Sequence, residues 1–241
     1  MKITTRLILE RWSHKRRGPL LVLLALALGL SASLVAGQAF SKPAMTTINV
    51  TTTNSTTGGP DCTLRDAITA ANTAAVAGGC DGTGGAPYLV VLVAGPEYLL
   101  KAVDNSDPDG PNGLPIIDTD ITIDGQSKEI RRDDHSVSSP LFRIFNVSTG
   151  ATLTIKDVTV ASGGGQGIDG GGILNNGTVI LDNVVLRYNK GIEGGGIMNN
   201  GYLTIDNSIV TYNMAGCGGA IQDQGYLTVT NSTFSANTAY T

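Results

Sequence analysis

Two aspartates, Asp182 and Asp206, stand in matching surroundings, Leu181-Asp-Asn and Ile205-Asp-Asn. A pair of carboxylates at a fixed separation is what hydrolysis of a glycosidic bond needs, one as proton donor and the other as nucleophile or base. The same column continues to Lys156 and Thr230, and Arg187 and Lys190 follow Asp182 closely. An Arg or Lys base near acids would suit elimination from a polysaccharide, but that chemistry also wants a Ca²⁺-binding acidic cluster, and no third acid accompanies Asp182. Strand parity turns both aspartates outward. Like charges stacked on a solvated strand face need no chemistry to account for them. Asp182 and Asp206 are therefore the catalytic candidates set against a reading with no catalytic centre.

The other reactive types are sparse. His135 follows Arg131, Arg132, Asp133 and Asp134 in a polar segment with no serine-nucleophile or zinc spacing around it. Gly164-Gly-Gln-Gly-Ile-Asp169 matches the start of a calcium-binding nonapeptide, but only once, and turn chemistry accounts for it. Asp104, Asp107 and Asp109 put hard oxygens in one loop and are the candidate metal ligands, for Ca²⁺; otherwise no cofactor is expected. Of three cysteines, Cys62 and Cys80 bracket one helical segment and are the expected disulfide. Cys217 replaces the acids at the equivalent positions Asp169 and Glu193, which places it on the surface as an unpaired substitution or a reactive thiol.

The elements that carry these residues repeat. From Gly170 the chain aligns with itself at a fixed period of two dozen residues: Gly171, Gly195 and Gly219; Ile173, Ile197 and Ile221; Gly177, Gly201 and Gly225; Val179, Leu203 and Leu227; Leu181, Ile205 and Val229; Leu186, Val210 and Phe234. Two asparagine columns run through the unit, Asn183, Asn207 and Asn231, and Asn189, Asn213 and Asn237. A poorer copy from Leu153 to Val160 lies upstream at a slightly longer interval, which fits a small insertion near 162–167. Leu203-Thr-Ile205-Asp-Asn207 alternates apolar with polar, the period of a half-buried strand, and the glycine clusters supply turns. No helical repeat fits so short a unit beside these strands, and leucine-rich repeats carry more leucine. The pattern predicts a parallel β-helix, an all-β solenoid in which equivalent residues stack about 4.8 Å apart. Both asparagine columns are expected to turn inward as structural ladders, bonding backbone groups that a sharp corner leaves unpaired.

Charge and hydropathy address the chain. Residues 1–39 hold six of the 16 basic groups and one of the 20 acids, which leaves ten basic against nineteen acidic groups, a net −9, in the remainder. That excludes a nucleic-acid partner, whose phosphates need a basic face. Lys15, Arg16 and Arg17 precede the apolar run Leu20–Val35, and Gly37 and Ala39 fit a signal-peptidase site before Phe40. The alternative is an uncleaved anchor over Leu20–Ala39, the chain's sole means of reaching a membrane. Either way the rest of the chain is expected outside the cytoplasm, where disulfides persist.

Before the repeats, Ile48 and Val50 suggest a first strand, and Leu64, Ala67, Ile68 and Ala71 fall on one helical face, with Thr63 as N-cap and Asp66 three residues on. The stretch Cys62-Thr-Leu-Arg-Asp-Ala-Ile-Thr-Ala-Ala-Asn72 resembles the CSLREA motif of secreted bacterial proteins, with Thr63 for Ser and Asp66 for Glu. The GGGI…NNG…LT…N repeats are similar to those of the same family and of polymorphic outer-membrane proteins, and the resemblance spans residues 46–241. It implies a right-handed parallel β-helix of the pectate-lyase-like kind, and surface or secreted proteins without demonstrated chemistry. The same scaffold carries polysaccharide lyases and hydrolases, but the hydrolases' Asn-Thr-Asp, Gly-Asp-Asp and Gly-His-Gly signatures are absent.

The expected organisation is a signal peptide or anchor over 1–39, an N-terminal strand and CSLREA-like cap over 40–114, and β-helix coils over 115–241. The expected role is adhesion or envelope-associated binding of glycans or cell-surface proteins through the side face, where Tyr202, Thr204, Tyr226 and Thr228 point outward. A carbohydrate-active enzyme is the alternative. Thr241 follows closely on the Asn237 corner with no terminal cap or sorting signal, which points to a longer reading frame encoding any anchor, or to pairing of the coil end with another chain.

Overall fold

The computed structural model describes residues 44–135 and 138–240. The signal peptide or anchor expected over 1–39 lies outside the described residues. Among those described, no helix is long and apolar enough to cross a membrane.

Short strands coil into a β-solenoid of about four turns. One long parallel sheet takes strands in the order Thr46–Val50, Tyr88–Leu92, Ile121–Arg132, Thr152–Ala161, Thr178–Arg187, Tyr202–Asp206 and Tyr226–Thr230. A second parallel sheet stacks Phe145–Val147, Ile173–Asn175, Ile197–Asn199 and Ile221–Asp223. The register of the repeat is the register of the sheet. Val179 pairs with Leu203 and Leu203 with Leu227, while Ile173 pairs with Ile197 and Ile197 with Ile221. Each apolar column thus becomes a ridge of the core: Leu153, Ile155, Val160, Ile173, Val179, Leu181, Leu186, Ile197, Leu203, Ile205 and Val210 are all buried. Leu227, Val229 and Phe234, on a rung with none described beyond it, are exposed.

The long sheet runs across the expected 114/115 division, because Tyr88–Leu92 pairs with Ile121–Arg132. Residues 43–241 form one compact unit. The helix Leu64–Thr73 starts as the sequence predicts: the Thr63 hydroxyl accepts from the Asp66 N–H at 3.0 Å and donates to the Asp66 carboxylate at 2.8 Å. Leu64, Ala67, Ile68 and Ala71 are buried in the same core as Ile48 and Val50.

Two features explain the regular spacing of small and polar residues. A Cβ at Gly171, Gly195 or Gly219 would run into the backbone of Lys190, Met214 or Thr238 respectively, so the coil closes there only on glycine. Corners are made by single left-handed residues. Asp157, Asn183, Asn207 and Asn231 form one such column, with φ of 52°, 55°, 50° and 49°, and Ser162, Tyr188, Tyr212 and Ala236 form another, at 61°, 56°, 54° and 51°.

Cys62 and Cys80 form a disulfide, with Cα atoms 4.7 Å apart and 18 residues of separation. Closing a loop of that length removes enough unfolded-chain entropy to contribute about 3 kcal/mol. A Cys62→Ser, Cys80→Ser variant is expected to lose about that much in denaturant titration.

Candidate functional site

The outward columns decide what the side face can do. Lys156, Asp182, Asp206 and Thr230 stack in register on consecutive rungs. Lys156 Nζ lies 3.9 Å from Asp182 Oδ2, with both side chains about two-fifths exposed. Such a surface pair contributes about 0–1 kcal/mol. Asp206 Oδ1 accepts from Thr230 Oγ1 at 2.7 Å and Asn231 Nδ2 at 3.1 Å, and Oδ2 accepts from Asn207 Nδ2 at 3.0 Å. The Thr230 hydroxyl, opposed by slight desolvation and helped by Asn231 and the Asn207 N–H, holds the Asp206 carboxyl below the usual range. A glycosidase acid needs the opposite shift. Thr230→Val is expected to move the Asp206 titration back up toward the ordinary carboxyl range, as read by NMR of the carboxyl carbon. Because the folded value is depressed, this bond favours the fold above the ordinary carboxyl pKa and is lost as the pH falls through the folded one.

The asparagine columns divide. Asn189, Asn213 and Asn237 turn inward as expected. Asn189 Nδ2 donates to Asn213 Oδ1 at 3.0 Å, and Asn213 Nδ2 to Asn237 Oδ1 at 3.0 Å. Each amide also closes the corner backbone, through the Asn189 and Asn213 N–H groups and the carbonyls of Val160, Leu186 and Val210. Asn183, Asn207 and Asn231 do not turn inward. They are exposed, and bond Asp157, Asp182 and Asp206 laterally. Their left-handed backbone is the reason for asparagine there, since its short polar side chain tolerates φ > 0. The second inward ladder is Asn175, Asn199 and Asp223, joined by amide-to-oxygen bonds of 2.6 Å on each rung. Each member also accepts from a turn glycine, Gly177, Gly201 or Gly225. The Asn-Asn-Gly, Asn-Asn-Gly, Asp-Gln-Gly series was its signal in the sequence.

The acidic loop is turned to protein cations. Asp107 Oδ2 accepts from Asn112 at 2.9 Å and Asn146 at 2.6 Å, and its other oxygen lies 3.7 Å from Arg143 Nη1. Arg143 is fully buried and also reaches Asn112 Oδ1 at 2.9 Å and the carbonyls of Asp169 and Asp109. Burial pulls the Arg143 pKa down, against the pull of Asp107, Asp109 and Asp169. Asp104 faces Arg65 at 3.8 Å. Among the described residues, no group of three His, Cys, Asp or Glu side chains could hold a metal ion, so Asp104, Asp107 and Asp109 do not come together as a ligand set. The Gly164–Asp169 turn belongs to the same core: Gly164, at φ 85°, bridges Phe142 and Lys190, where a Cβ would meet the Lys190 carbonyl. His135 is exposed, with Nδ1 3.0 Å from Asp133, and Cys217 is exposed and unpaired.

The concave part of the surface was not foreseen. Arg131, Ala161, Arg187 and Thr211 follow one another in one outward column. Ala161 is buried at the middle rung, and Arg187 reaches past it to Glu129 on the strand that carries Arg131. Beside them lies a cavity of about 370 Å³ lined by Glu129, Arg131, Asp134, Ser162, Arg187 and Tyr188. A second cavity of about 250 Å³ shares Asp134, Ser162 and Tyr188 and adds Arg132, Lys190 and the Gly163–Gln166 turn. Arg131 pairs with Glu97 at 3.0 Å and with Asp134, and Arg187 Nη2 meets Glu129 at 3.1 Å. Arg132 donates from Nε to the Ser162 carbonyl at 2.8 Å, which holds its guanidinium at the cavity wall. Arg132 and Lys190 have no ion-pair partner among the described residues, and Arg187 Nε is buried without a hydrogen-bond partner. Tyr188, about half exposed, stacks on Tyr212 with ring centroids 5.3 Å apart, and the Arg187 guanidinium lies 5.6 Å from its ring. Tyr202 and Tyr226 form a second exposed stack at 4.9 Å.

No family model, curated protein or solved structure matches the chain.

Proposed function

We propose that this chain is an exported, non-catalytic right-handed β-helix whose N-terminal helix caps the first coil, and whose side face binds glycans or cell-surface proteins. The observation that carries the reading is the use made of the outward columns. They present two stacked pairs of exposed tyrosines, while the outward aspartates are spent on lateral bonds, Asp182 with Lys156 and Asp206 with Thr230 and Asn231. Exposed tyrosines give contact area at low entropy cost and a polar tip, the composition of recognition surfaces rather than of reaction centres. The address is read from Lys15–Arg17, Leu20–Val35 and the small residues before Phe40.

Two measurements test it. Protein recovered from the medium or cell surface should begin at Phe40 by N-terminal sequencing. The purified chain should be retained on a glycan array or on whole cells, and should release no reducing ends or unsaturated sugars from a polysaccharide panel. Cleavage of any of these polymers, abolished by Asp182→Ala, would replace the reading with an enzymatic one.

A further inference from the structure

We infer that the twin cavity between Arg131 and Lys190 is a binding site for an acidic sugar unit: a saccharide whose carboxylate enters beside Arg132, Arg187 and Lys190 while its ring lies along Tyr188. The inference rests on the side-face reading above and names where on that face, and for what ligand, recognition occurs.

The first argument is charge. The chain beyond residue 39 is strongly acidic, yet four of the nine basic side chains between Ala44 and Tyr240 line these two adjoining hollows, against the acids Glu129 and Asp134. Glu129 is engaged by Arg187, Arg131 is held by Glu97 and Asp134, and Arg132 feels Asp133 and Asp134 without an ion-pair contact, so Lys190 is the cation that no carboxylate among the described residues is shown to engage. Cations gathered in a concave, partly desolvated place are an anion site by Coulomb's law, and guanidinium groups suit the two oxygens of a carboxylate. Arg187 holds Glu129 through Nη2 alone, which leaves Nη1 for a second partner.

The second argument is the aromatic. Ser162 and Ala236 hold the same left-handed corner as Tyr188 and Tyr212, so the corner asks only for backbone, and a large ring there is the costlier choice. At Tyr188 the ring borders both cavities, and at Tyr212 it extends the apolar strip by one rung. A cationic hollow beside an amphipathic strip fits a ligand with one charged group on a ring of mixed polarity. The acidic remainder of the surface repels densely charged polymers, so the ligand class is a sparsely charged glycan rather than a polyanion.

The test is calorimetric titration of the full chain with a glucuronate-terminated trisaccharide, its glucose-terminated counterpart and heparin. The carboxylated sugar should bind, with affinity that falls as salt is raised, and the neutral sugar at least tenfold more weakly. Lys190→Gln and Arg132→Gln should each cost about tenfold, and Tyr188→Ala should weaken binding while circular dichroism and melting remain those of the parent. Binding of the carboxylated sugar that is indifferent to Lys190→Gln and Arg132→Gln would overturn the site and leave the side-face reading standing. Equal binding of the neutral sugar, or preference for heparin, would overturn the ligand class. Absence of binding to all three overturns the inference, and if the glycan array and cells are also negative, the broader reading falls with it.

Discussion

Replacing Arg143 with alanine is expected to destabilise the protein by about 3–5 kcal/mol, the cost of removing one partner from a buried ion pair. The side chain is wholly excluded from water and meets four groups: the Asp107 carboxylate, the Asn112 side-chain oxygen, and the carbonyls of Asp109 and Asp169. These come from one hairpin, Asn105–Asp107 with Gly110–Asn112, and from the turn at Asp169. Without the guanidinium, Asp107 keeps its amide donors but loses its counter-charge, and two carbonyls are stranded. Arg143→Lys should rescue little, because one ammonium cannot reach groups that the planar fork spans. Arg143→Met with Asp107→Asn should recover part of the loss, since it removes the charge imbalance along with the pair. Urea titration of the three variants measures this. A loss below about 1 kcal/mol for Arg143→Ala, the level of an ordinary surface pair, would show that the cluster contributes nothing special.

Asn213→Ala and Asn207→Ala should differ sharply, although the two residues occupy equally regular columns six positions apart. Asn213 is buried between rungs. Its oxygen accepts from the Asn189 backbone and side chain, and its nitrogen donates to Leu186 and Asn237. Truncation strands several groups that water cannot reach, each worth about 1–3 kcal/mol, so a total loss near 3 kcal/mol is expected after partial relaxation. Asn207 is exposed, and bonds only the carboxylates of Asp182 and Asp206. Its alanine variant should lose about 1 kcal/mol, because alanine keeps the Cβ at positive φ without the polar side chain that makes asparagine tolerate it, and Asn207→Gly should be neutral or better. Equal losses at the two sites would contradict the assignment of one column to the interior and the other to the surface.

That contrast marks how far the sequence could be read. Period and parity placed the sheet register, the buried ridges and the outward Asp182 and Asp206, because every rung repeats the same local problem and the solutions line up in the text. Asparagine served two different problems in the same unit, a hydrogen-bonding one at 189 and a conformational one at 183, and residue type alone does not separate them. The Asn175–Asn199–Asp223 ladder hid because its third member changes type. Arg143, Arg65 and the cationic hollow were out of reach for a different reason. Each occurs once, and depends on chain segments tens of residues apart meeting on neighbouring rungs, as Arg131 and Arg187 do across Ala161. The acidic loop looked like a cation site in the sequence, and the cations that Asp104 and Asp107 meet in the structure are Arg65 and Arg143, from distant segments.

The inward ladders leave the outer rows mechanically independent of the interior. Thr178, Tyr202 and Tyr226 share one exterior row, and Lys156, Asp182, Asp206 and Thr230 another, while the amides behind them are already satisfied. Substitutions along such a row exchange one chemical legend for another at fixed pitch without disturbing what lies beneath. A molecule built this way can change its surface chemistry faster than it changes shape.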